Sequence, residues 1–119
     1  MKIYVAHTYG RQHSVTDEQC EKNAERSIEW GRRLIKMGHN PFIPNLFHYV
    51  HKGWWDSPEE KVYFRLVSEW ITDCDALFVA EMPPWEDSGV YKEIKIAKFC
   101  DMPVYYSIED IPLANTTAR

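Results

Sequence analysis

The sequence runs to 119 residues, which suits one domain with a single core and is too short for two. A hydrophobic fraction of 45% with 14% aromatic residues argues against disorder, and a net charge of −4 argues against a nucleic-acid polymer as partner, since that needs a basic footprint. No apolar run approaches a membrane span, and Met1 to Val5 enter a strand directly with no signal-peptide pattern. Three cysteines at irregular spacing read as reduced thiols, so the expected setting is cytoplasmic.

In chain order, Ile3 to Ala6 is a short apolar strand. The loop after it, His7 to His13, is rich in hydrogen-bonding groups. In a doubly wound sheet the first strand is central, so this loop faces the binding crevice. Tyr9 is suited to stacking on a base or ribose, and Gly10 and Arg11 to meeting a phosphate; an ordinary surface loop is the plain alternative. The loop is neither a dinucleotide-binding glycine fingerprint nor a P-loop.

Thr16 to Gln19 is a capping box, and Cys20, Ala24, Ile28, Gly31, Leu34 and Ile35 follow at helical spacing before Gly38 stops the helix. Cys20 therefore reads as core. Pro41 to Pro44 is a second strand. The segment from Asn45 to Asp56 is unusually aromatic, and should pack over the crevice or against another copy of the chain. His48 and His51 within it lack a third ligand at matching spacing, so base stacking, hydrogen bonding or interface packing is expected rather than a metal site. Ser57, Pro58 and Glu60 then open a helix with Val62, Leu66, Val67, Trp70 and Ile71 as its apolar stripe.

Ala76 to Ala80 is a continuous apolar run, as in a strand covered on both faces, and Pro83 and Pro84 end it. Asp87 and Ser88 are candidate N-caps for the next helix. On that helix Val90, Ile94, Ile96, Ala97 and Cys100 share one side, with Lys92, Lys95 and Lys98 opposite. Glu93 falls within the apolar arc, where desolvation of a charge is costly. Either the helix dipole favours it there with its head in solvent, or it is held at the sheet edge for chemistry. Met102 to Tyr106 gives a last strand, Ser107 to Asp110 a turn, and Ala114 to Arg119 a polar tail. The alternation of strands and helices predicts an α/β fold: a doubly wound parallel sheet of four to five strands with helices on both faces.

The run Asp87-Ser88-Gly89-Val90-Tyr91-Lys92-Glu93-Ile94-Lys95-Ile96-Ala97 resembles the Asp-x-Gly-x-x-x-Glu-x-x-x-Ala pattern of the nucleoside 2-deoxyribosyltransferase-like superfamily. The resemblance implies a flavodoxin- or Rossmann-like single domain over the whole chain. It further implies that Glu93 is the nucleophile attacking the anomeric carbon of an N-glycoside. Asp87 maps to the family's substrate-binding acidic residue and is the candidate acid for the leaving base. The family also uses the first loop for substrate. The implied binding residues are therefore His7, Tyr9, Gly10 and Arg11, with Ser88 and Gly89 at the helix start and Phe47, His48 and Trp85 as walls for the base.

The implied substrate is a nucleoside or nucleotide, with hydrolysis or base transfer as outcome and no cofactor or metal required. The family's second substrate-contacting aspartate falls at Val67 here. Two alternatives follow: a nucleotide-binding or sensing module without turnover, and an NAD glycohydrolase of the TIR-like type. The segment Phe47 to Trp55 further implies a homo-oligomer.

Overall fold

The structure is a computed structural model that describes residues 1–114. The expected tail lies, beyond Ala114, outside the described residues. Strands β1 (Lys2–Ala6), β2 (Asn40–Phe42), β3 (Ala76–Val79) and β4 (Val104–Tyr105) form one parallel sheet in the order β2-β1-β3-β4. Tyr4 pairs with Phe42 on one side and Leu77 on the other, and Ala6 pairs with Val79. Parallel neighbours need crossovers. These are helix α1 (Asp17–Lys36), the pair α2 (Phe47–His51) and α3 (Glu60–Ser68), and helix α4 (Gly89–Phe99).

Both faces of the sheet are covered, which is why its central strands carry no polar alternation. Ile3, Val5, Ala76 and Phe78 point one way and pack with Leu34 of α1 and with Ile108 and Ile111. Tyr4, Ala6, Leu77 and Val79 point the other way and pack with Ile71 and with Val90, Ile94 and Ala97 of α4. The fold is the doubly wound α/β arrangement expected. After β2 the chain crosses to the opposite side of β1 to lay down β3. The strand order therefore reverses beside β1, and the carboxyl ends of β1 and β3 open onto the crevice where such folds bind ligands.

Local departures from the expected elements have identifiable causes. Thr16 caps α1 by accepting from Gln19 N at 3.1 Å, but the Gln19 side chain donates to Asn23 Oδ1 instead of reaching back. Ile35 is 59% exposed, while Asn23 and Ser27 take buried places on α1. Those two brace loops: Asn23 Nδ2 donates to Tyr9 O at 2.9 Å, and Ser27 Oγ accepts from Asn45 Nδ2 at 2.9 Å.

The second strand lies at Asn40–Phe42, since Pro44 opens a 3-10 turn, Pro44–Leu46. Helix α3 begins at Glu60 with Glu59 as its N-cap, because the Ser57 hydroxyl is engaged by His51 Nδ1 at 2.7 Å and the Tyr63 hydroxyl at 2.6 Å. Its buried side is Tyr63 and Val67, with Ile71 beyond its end, whereas Leu66 and Trp70 face outward. Cys100 is exposed as the C-cap residue of α4 rather than part of its apolar face. No helix among the described residues is long and apolar enough to cross a membrane.

Candidate active site

A cleft of about 130 Å³ opens at the carboxyl edge of β1 and β3, far larger than a void for one water. Its floor carries Glu93, in the first turns of α4 and only 5% exposed. The Tyr4 hydroxyl, projecting from the centre of β1, donates to Glu93 Oε2. Burial pushes the Glu93 carboxyl up to about 8, partly offset by the Tyr4 hydrogen bond. Burial, with the neighbouring carboxylate, raises the Tyr4 phenol as well, so Tyr4 remains a donor. Of the two readings of Glu93, the geometry excludes a head group reaching solvent.

Among the described residues, the buried side-chain polar atoms without a hydrogen-bond partner are His7 Nε2, Thr8 Oγ1 and Ser88 Oγ. All three residues line this cleft. Buried polar groups are otherwise nearly always paired, and orphans gathered at one concavity point to a polar ligand. Ser88 is the N-cap of α4, yet its side chain makes no capping bond, so the first backbone N–H groups of that helix also lack a side-chain acceptor. His7 Nδ1–H donates to Thr8 O at 2.7 Å. Its Nε2 stands 3.4 Å from Glu81 Oε2 without hydrogen-bond geometry, and burial lowers its pKa, which keeps the ring neutral.

The remaining walls come from three places. Tyr9 and His48 face one another: the Tyr9 hydroxyl donates to His48 Nδ1 at 2.7 Å, and His48 Nε2 lies 3.4 Å from Glu21 Oε1. Phe47 packs near Tyr63, at 6.2 Å between ring centroids. Trp85 stacks on His13 at 4.3 Å, closing the cleft between the loop after β1 and the loop after β3. Gly10 has φ 95°, and a Cβ there would come within 2.6 Å of Val15 Cγ2 and 3.5 Å of Trp85. Only glycine fits both that backbone and that approach. Lys92 stands at the mouth, with its Nζ 5.6 Å from the Phe64 ring centroid.

Thus Glu93, His7, Tyr9, Gly10, Arg11, Phe47, His48, Trp85, Ser88 and Gly89 are brought to one cleft. Asp87 is not among its lining residues. Its side chain is 80% exposed and accepts from His13 Nε2–H at 2.9 Å, a bond that lowers its pKa. Asp87, the candidate acid for the leaving base, is therefore not brought to the cleft: the Ser88 N-cap is buried there, and the side chain of the preceding residue is exposed. Arg11 does line the cleft, but its Nη2 donates to Pro58 O at 2.8 Å, its Nη1 lies 3.4 Å from Glu60 Oε2, and it stands over Tyr63. Two of its five N–H donors are thus directed at the start of α3.

Sequence reasoning passed over Tyr4, Thr8, Asn45, Glu60 and Tyr63. Tyr4 had a signal, a phenol hydroxyl inside an otherwise aliphatic strand that needs a buried partner. Among the described residues no group of three or more histidines, cysteines or acids is arranged to hold a metal.

Residues 1–108 match the family described as a domain of unknown function, DUF1937. The chain belongs to that family. None of the curated proteins compared with it matches.

Proposed function

We propose that the cleft binds a nucleoside or nucleotide and breaks its N-glycosidic bond, with Glu93 as the nucleophile, as an N-glycosidase or a deoxyribosyltransferase-like enzyme. The observation that carries this reading is a lone carboxyl buried on the cleft floor, oriented by Tyr4, beside three unpartnered polar atoms. A fold maintains a desolvated acid against its cost where chemistry needs it. Ionised Glu93 attacks C1′, the C1′–N bond breaks with its electron pair leaving on the base, and water or a second base resolves the glycosyl ester. Ser88 Oγ and the α4 N-terminus suit a ribosyl hydroxyl or a 5′-phosphate, and Lys92 adds positive charge at the mouth. Tyr9, Phe47 and Trp85 supply faces for the base. The resemblance of the Asp87 to Ala97 run to the nucleoside 2-deoxyribosyltransferase-like pattern agrees with the same assignment.

A second reading, a nucleotide-binding module without turnover, is favoured by Val67. This apolar residue lines the cleft where that pattern has its second aspartate. We further propose a homo-oligomer in a reducing, cytoplasmic setting. Trp54 and Trp55 are 48% and 94% exposed in the segment flanking the cleft wall, and the three cysteines are unpaired.

Incubation with nucleosides, nucleotides and NAD, followed by chromatography of the free base, tests the reading. Release of base from one of them supports it, and nicotinamide release alone moves it to NAD. Tight binding with no release supports the module, and neither binding nor release overturns both.

A further inference from the structure

A departing base is a poor leaving group unless it is protonated, and Asp87 faces away from the cleft. Of the carboxyls among the described residues, the cleft is lined by Glu93 and by one other, Glu60. We infer that Glu60 is the general acid of the proposed reaction, delivering its proton to the leaving base from the α3 wall of the cleft. The inference rests on the glycosidic reading above and adds a residue that the motif does not contain.

The argument is geometric first. Glu60 is the first residue of α3, and Glu60, Phe64 and Val67 form one stripe down the cleft wall. Phe64 lies against the start of α4, since a Cβ on Gly89 would sit 3.2 Å from its ring. At about 1.5 Å per residue, Glu60 stands about 10 Å above Val67 along the helix, on the order of the length of a nucleoside. With the sugar at Glu93, a base lying along this stripe reaches towards Glu60. The proton therefore goes to a ring nitrogen or carbonyl of the base rather than to the glycosidic nitrogen.

The second support is positioning. Arg11 is tied to Pro58 O at 2.8 Å and lies 3.4 Å from Glu60 Oε2, which fixes that oxygen and leaves Oε1 without a hydrogen bond to the protein. Burial nevertheless raises the Glu60 pKa, with Arg11 pulling the other way. Two further titratable groups that sense Glu60 are Tyr9 from the loop after β1 and Cys20 from α1, both pushed up by burial and so uncharged. Glu60 thus has one cationic neighbour and no anionic one among these. The proton balance closes: Glu60 gives its proton to the base as the C1′–N bond breaks, and Glu93 forms the C1′–O bond. Glu60, now a carboxylate, takes a proton from the water that releases the sugar from Glu93.

The test compares guanosine 5′-monophosphate with 7-methylguanosine 5′-monophosphate, whose base is already cationic and departs without a proton. Single-turnover base release is measured with excess protein for the parent and for Glu60→Gln, after thermal melts show that the variant folds. Release of guanine should fall by about 100-fold or more, while release of 7-methylguanine falls by about threefold or less. Equal slowing of both, or of neither, with an active parent overturns the role of Glu60 and leaves the glycosidic reading standing. A parent that releases neither base from these purine nucleotides overturns the inference, and the broader substrate panel then decides the glycosidic reading separately.

Discussion

Replacing Glu93 with glutamine should shift stability in the variant's favour by an amount that grows with pH. The usual carboxyl value of 4.5 applies to the unfolded chain, and burial holds the folded carboxyl at about 8. Between those values the unfolded chain has released its proton and the folded protein has not, so stability falls as pH rises through that window. It is unaffected below about 4.5 and reaches its full loss above about 8. At about 1.4 kcal/mol per tenfold, the loss is about 3 kcal/mol at pH 7 and close to 5 kcal/mol at pH 9. Glutamine cannot ionise, and its amide oxygen still accepts from the Tyr4 hydroxyl. Its amide N–H groups have no established partner on the cleft floor, which costs about 1 to 3 kcal/mol at every pH. The pH dependence of the difference is therefore the diagnostic.

Urea melts of parent and Glu93→Gln at pH 5, 7 and 9 should show the variant gaining about 4 kcal/mol relative to the parent across that range. In thermal melts the same relative gain is worth roughly 4 °C per kcal/mol for a chain of this size. A difference that stays flat within about 0.5 kcal/mol would mean that Glu93 is solvated in the folded protein, and the burial argument would fail.

Ser88→Ala should weaken a 5′-nucleotide more than its nucleoside, by about 1 kcal/mol, because it removes an unpartnered donor at the α4 N-terminus; equal losses in calorimetry would remove the phosphate role. Asp87→Asn should change base release by less than about threefold in a steady-state assay, given its exposed position away from the cleft; a loss above about 100-fold would restore it as an acid. Trp55→Ser should shift light-scattering mass towards a monomer without lowering the melting temperature of the monomeric unit, and a parent already monomeric at micromolar concentration would contradict the oligomer.

The fold was legible because its signals are strong and local. Apolar β3, the Thr16 cap and the reversal of apolar and lysine faces on α4 each specify one element and its burial. The unusual placement of Glu93 was legible for a different reason, a charged residue set where packing alone would forbid it. What escaped detection depends on directions that the sequence does not encode. Asp87 and Ser88 are adjacent and both suit an N-cap, yet only the backbone entering α4 decides which one faces the cleft. Arg11 looked free for phosphate because its partners, Pro58 O and Glu60, lie nearly fifty residues away in the chain. Ser57 read as a cap, but His51 and Tyr63 claim its hydroxyl once α2 and α3 come together. Long-range hydrogen bonds of this kind leave no periodic trace.

The most direct test of the central claim is base release by parent and Glu93→Gln on whichever nucleoside or nucleotide the panel identifies, followed at pH 8 with binding measured in parallel. This pH matches the value of about 8 to which burial pushes the Glu93 carboxyl, and the amide retains the shape and the Tyr4 contact. The account predicts that Glu93→Gln binds the substrate within about threefold of the parent and loses at least about 1,000-fold in release, since an amide is a far poorer attacker at C1′. Parent-level release by Glu93→Gln would contradict it, leaving Glu93 as a buried structural acid and the cleft without its proposed nucleophile.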